Sequence, residues 1–161
     1  ADPLGQLHLD AAHRLLTRAQ DSLAADDDSW PAGRRPRLRI EGGSAELAIY
    51  SNEPTSALEH AERGLDLCAV ADTPQRHRVK TALVAAAAHA SAGHTEVAVR
   101  AAATVTDDAR AAGLLPLEWA SLALRHGLEP ADQDVSAALL RARMLLTGHG
   151  VPFTGVSTPG G

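Results

Sequence analysis

Two stretches of this chain overlay one another at an offset of 41 residues. Ser51-Asn52-Glu53-Pro54-Thr55-Ser56-Ala57 lies over Ala92-Gly93-His94-Thr95-Glu96-Val97-Ala98, a turn on a turn and Ala57 on Ala98. Further along, Ala61 meets Ala102, and the break Asp72-Thr73-Pro74 meets the break Gly113-Leu114-Leu115-Pro116. Self-similarity at such a period marks stacked helix pairs, in which each unit buries its apolar face against the next. A chain of that kind is built for binding or scaffolding rather than for catalysis.

Composition agrees on the class. Alanine makes up about a fifth of the 161 residues, while Ile, Phe and Tyr are nearly absent. Alanine and leucine are strong helix formers, and the β-branched and aromatic residues that strands favour are scarce. An all-α fold follows, with helix axes close together because little side chain separates them. The length suits one domain. The formal net charge of −5 opposes nucleic acid and anionic membrane surfaces. Cys68 is the only cysteine, so no intrachain disulfide forms, and its place on an apolar stripe suggests a buried, inert thiol. No apolar run approaches the roughly 20 residues of a membrane span. The fourteen arginines stand against one lysine, Lys80, a skew read as genomic composition.

The spacing predicts about seven helices. The first runs from Pro3 to Ala25 and breaks at Asp26-Asp27-Asp28, whose charges oppose the helix dipole there. The second spans Pro36 to Ser51, with Gly42-Gly43 inside it as a close packing contact or, alternatively, a kink. The third runs from Pro54 to Ala71, the fourth from Pro74 to Ala92 with Gly93 as its C-terminal glycine, and the fifth from Thr95 to Gly113. Pro116 opens a short sixth that ends near His126-Gly127, and the seventh covers Pro130 to Thr147. Residues 1–33 form an N-terminal capping helix and loop, residues 34–147 the repeats, and residues 148–161 a flexible tail or linker rich in Gly, Pro, Ser and Thr. The chain opens Ala1-Asp2-Pro3, which fits either a processed end or a piece of a longer protein.

Residues Arg34 to Gly148 resemble a tetratricopeptide-type (TPR-like) repeat array. In that family a small residue of each first helix faces a small residue of each second helix. Ala45, Ala86 and Ala120 take the first role here, and Ala57, Ala98 and Ala138 the second. Asn52-Glu53 and Gly93-His94 fall on the turn within a unit, and Gly64 and, less well, Val105 match a later small position. The chain departs from the family in lacking the aromatic residues of the first helix, and its period is longer. Longer units of this kind are similar to the helical sensor arms of bacterial transcription regulators. The resemblance implies antiparallel hairpins in a right-handed superhelical array, with an irregular helical bundle as the alternative.

It also implies a concave groove lined by the first helix of each unit. Carried over residue by residue, that groove takes Arg39, Glu46, Ile49 and Tyr50 from the second helix. Lys80, Leu83, Ala87 and Ser91 come from the fourth, and Leu117, Ser121 and Arg125 from the sixth. The expected occupant is a protein or peptide partner, acidic in character, with Tyr50 as anchor. The competing reading has Tyr50 packed between units. A carboxylate clamp is not expected, because the only asparagine, Asn52, lies in a turn. Trp119 is expected to fill space between two units.

The run Arg34-Arg35-Pro36-Arg37-Leu38-Arg39 is the one local basic cluster. It reads as an anion site at a helix N-terminus or as a solvated loop offset by Asp26, Asp27 and Asp28. It is too narrow, and too poor in aromatics, for nucleic acid. Eight histidines raise the question of a metal, but His8 and His13, like His89 and His94, are five apart. Ligands on one helix want three or four. No metal, cofactor or catalytic signature is expected, and the chain is read as a non-enzymatic protein–protein interaction module. On the family resemblance it is the sensor or regulatory part of a larger bacterial regulator, cytoplasmic, and able to form a homodimer through its end helices. The alternative is a small-molecule-binding sensor domain.

Overall fold

The computed structural model of the chain describes the backbone of residues 3–21, 29, 30 and 32–148, with side chains from residue 9 onward. Seven helices and no strand occur among the described residues: α1 (Pro3–Asp21), α2 (Arg34–Tyr50), α3 (Pro54–Cys68), α4 (Gln75–Ser91), α5 (Thr95–Ala111), α6 (Leu115–Leu128) and α7 (Gln133–Gly148). The fold is all-α. The expected end of the first helix, its Asp26-Asp27-Asp28 stop and nearly all of the expected tail lie outside the described residues. None of these helices is long and apolar enough to cross a membrane.

Three of the connections are the same turn. Asn52, Gly93 and Gly113 take left-handed φ values of 57°, 76° and 67°. Beyond each, the next amide reaches back over the helix end. Glu53 donates to the Ala48 carbonyl at 2.8 Å, His94 to His89 at 2.9 Å and Leu114 to Ala109 at 2.8 Å. The left-handed residues donate in turn to Ile49, Ala90 and Arg110, each at 3.1 Å. This is the Schellman arrangement, which satisfies carbonyls that a helix C-terminus otherwise leaves open. Glycine adopts the required φ at no steric cost, and asparagine tolerates it. Pro54 then suits the first turn of α3, where its missing N–H is not needed.

Every buried residue of α3 recurs, 41 positions on, as a buried residue of α5. Ala57, Ala61, Gly64 and Cys68 correspond to Ala98, Ala102, Val105 and Ala109. Across the preceding helices, Leu38, Ile40, Ser44, Ala45 and Leu47 correspond to Val79, Thr81, Ala85, Ala86 and Ala88. The offset visible in the sequence is therefore an offset between equivalent burial sites. Ala45, Ala57, Ala86 and Ala98 have no exposed surface, whereas Ala120 and Ala138 of the last pair are half-buried.

Each helix packs against the next in sequence. In addition α2 meets α4 and α4 meets α6, but α3 does not touch α5, nor α5 α7. The even-numbered helices thus share a continuous inner seam, and the outer helices stand apart from one another. Alanines of α2, α3 and α4, with Val84, form one apolar cluster. Val79, Val105 and Ala109 form a second, and Leu122, Val135 and Ala142 a third, against which Trp119 packs inside the last helix pair rather than between two units. At the other end α1 lies on α2, where Leu16 Cδ2 comes within 3.3 Å of where a Cβ on Gly43 would stand. Helix α2 continues unbroken through Gly42-Gly43. Gly43 is thus the packing contact, Gly42 faces open space, and the pair does not break the helix.

Candidate functional site

The inner seam opens into a shallow groove of about 210 Å³ between α2 and α4. Its floor includes Gly42, Gly43 and Val84, and its rim carries Arg39 and Glu46 from α2 with His77 and Lys80 from α4. Two glycines in succession on α2 keep that floor open. Lys80 Nζ lies 3.5 Å from Glu46 Oε1, and both side chains remain largely exposed. Arg39, Glu46 and Lys80 were all expected on one surface, and they share this groove.

The other expected groove residues fall elsewhere. Tyr50 ends α2 and is 83% exposed, so it is not packed between units. Ser91 ends α4, half-buried, with its hydroxyl donating to the Ala88 carbonyl at 2.8 Å. Ser121 is a correction: it has no exposed surface and bonds the Thr106 hydroxyl at 2.9 Å and the Glu118 carbonyl at 2.9 Å. A buried hydroxyl must be satisfied within the protein, and here a threonine on α5 does so. Arg125 is half-buried on α6 with its Nε enclosed, and it does not line the α2–α4 groove.

His77 joins the site although sequence reasoning gave it no role. It meets the Trp30 ring edge-on, with centroids 4.9 Å apart. Burial holds its pKa below the usual 6.5, and the positive charges of Arg35, Arg76 and Lys80 push the same way. These cations, with Arg39, give one end of the groove a positive field in a molecule whose net charge is −5.

The basic run divides at its first member. Arg34 is buried, pairs with Asp72 in the α3–α4 connection, and lies 5.8 Å from the Trp30 ring centre. It is therefore a structural tie and neither a free anion ligand nor part of a solvated loop. Arg35 and Arg39 remain exposed. Cys68 is buried, as expected, and donates to Thr81 Oγ1 at 3.4 Å. A second polar cluster joins α2 to α3, where Glu41 Oε2 lies 2.7 Å from His60 Nδ1 and accepts from Arg63 Nε at 3.1 Å.

One histidine pair is brought together by a turn rather than by a helix face. His89 and His94 straddle the end of α4, and their Nδ1 atoms approach to 3.3 Å. The rule that helical ligands stand three or four apart assumes a helix that continues, whereas Gly93 folds the chain back. No group of three or more His, Cys, Asp or Glu residues placed to hold a metal occurs among the described residues.

The chain matches no protein-family model, no curated protein and no solved structure.

Proposed function

We propose that the chain is a non-enzymatic, TPR-like interaction module that holds an acidic peptide in the α2–α4 groove. The observation that carries this reading is the gathering of Arg39, Lys80 and His77 around one groove on the inner seam. The groove is open and smaller than the roughly 300–1,000 Å³ typical of small-molecule pockets, which favours a peptide over the alternative of a small-molecule sensor. Arginine and lysine on its rim attract carboxylates, and exposed charges of this kind steer a partner more than they stabilise the fold. Tyr50, exposed at the end of the same helix, lies outside the groove lining and offers a further aromatic contact to a longer peptide. A place in the sensor or regulatory part of a larger cytoplasmic bacterial regulator accords with this reading.

The test is binding of a library of acidic peptides to the wild-type chain and to an Arg39→Glu/Lys80→Glu variant. The expected result is binding that falls by about tenfold or more in the variant, with thermal stability little changed. Equal affinity for both proteins removes the groove from the reading.

A second mode rests on α7, whose outer face exposes Leu140 and Met144. Asp134 stands in its first turn and Arg141 near its middle. A second copy packed apolar face to apolar face covers Leu140 and Met144, so the proposed occupant of this face is another molecule of the same chain.

A further inference from the structure

In a Schellman turn the side chain three residues before the helix cap meets the side chain two residues after it. At the end of α4 those positions are His89 and His94, joined by the backbone bond from the His94 amide to the His89 carbonyl. The ring centroids are 5.6 Å apart while the Nδ1 atoms are 3.3 Å apart, so the two nitrogen edges face one another. Imidazole nitrogens bind zinc at about 2.0–2.1 Å in tetrahedral geometry, which places two such ligands roughly 3.3 Å from each other. The spacing between these nitrogens is that bite. His94 is exposed and His89 half-buried, so an ion reaches the pair from solvent.

We propose that His89 and His94 form a two-imidazole chelate for a divalent transition-metal ion such as Zn²⁺, Ni²⁺ or Cu²⁺. Imidazole suits these ions, whereas Mg²⁺ and Ca²⁺ take oxygen ligands. Both ligands bind through Nδ1, and water fills the remaining positions. The turn supplies the preorganisation: the left-handed Gly93 fixes the two backbones, so binding needs only that the two rings turn until both nitrogens face one ion. A large side chain in place of Gly93 disturbs the turn itself, because its φ of 76° is rare outside glycine. The site is independent of the α2–α4 groove and shares no residue with it.

The test uses the full chain without an affinity tag, titrated calorimetrically with Zn²⁺ and Ni²⁺. His89→Gln, His94→Gln and, as a control, His126→Gln are compared, with helicity checked by circular dichroism. The second imidazole acts at high effective concentration, so its loss should weaken binding by about a hundredfold. The expected result is one ion per chain, lost in both pair variants and kept in the control. In a parallel experiment, substoichiometric Cu²⁺ should broaden amide NMR signals around residues 89–95 before any others. Metal binding unchanged in the His89→Gln/His94→Gln double variant overturns the proposal. So does broadening centred elsewhere, or no binding by the wild type, which would leave the pair as a hydrogen bond alone.

Discussion

Ala45, Ala57, Ala86 and Ala98 have no surface in contact with solvent, so each methyl group is enclosed on all sides by packed neighbours. Leucine at Ala86 or Ala98 has to displace a helix to fit. The expected cost is about 1–3 kcal/mol, read from urea denaturation. Unchanged stability would contradict the packing. His77 gives a prediction of a different kind. Its folded pKa lies below 6.5, so the folded protein binds fewer protons there than the unfolded chain. Its contribution to stability is therefore intact above pH 6.5 and declines as the pH falls below that value. His77→Gln should lose less stability than the wild type between pH 7.5 and pH 5.5, as followed by the thermal midpoint. Residue-scale chemistry was the hardest part to foresee from sequence. Ser121 matched a groove position but found Thr106, a partner fixed only by how α5 and α6 pack. Arg34 looked like one of a basic run, yet its partner Asp72 is 38 positions away.

Helices were more legible than side chains, because proline and glycine punctuate them. Pro54 falls at the start of α3, and Gly93 and Gly113 just past the ends of α4 and α5, as their backbone preferences require. The ends of α2 and α3 differ from the sequence reading by a few residues, since α2 begins at Arg34 and α3 stops at Cys68. Helix α2 began earlier than expected because Arg34 is held beneath Trp30 and paired with Asp72, contacts that no local pattern encodes. Its two glycines separate cleanly in their energetics. A methyl group on Gly42 would meet nothing within 4 Å, while one on Gly43 would press on Leu16 at 3.3 Å. Gly42→Ala should therefore stabilise the protein by about 0.5–1 kcal/mol through helix propensity. Gly43→Ala should gain less, because Leu16 must shift. Comparing the two variants by chemical denaturation checks both the propensity and the α1–α2 contact.

At the scale of the whole molecule, the cationic groove and the apolar face of the last helix have separate addresses. Cations collect at the α2–α4 groove, and the largest exposed apolar side chains of the last helix, Leu140 and Met144, lie at the far end. Peptide binding and self-association should thus be separable. Leu140→Glu/Met144→Glu should abolish any dimer seen by analytical ultracentrifugation while leaving peptide affinity in place. A dimer that survives the change would place its interface elsewhere. The sequence disclosed the period and the helical class but not this division, because exposure at the end of a stack depends on which helix comes last. The shared geometry of the turns at Asn52 and Gly93 has a different consequence. With equivalent burial sites 41 positions apart, α2 presents to α3 much the same face that α4 presents to α5. Joining Asn52 directly to His94 would bring α2 against α5 through matched joints. A gene encoding such a chain can grow or shrink by whole hairpins through unequal recombination, and its length is then a quantity selection can adjust in steps.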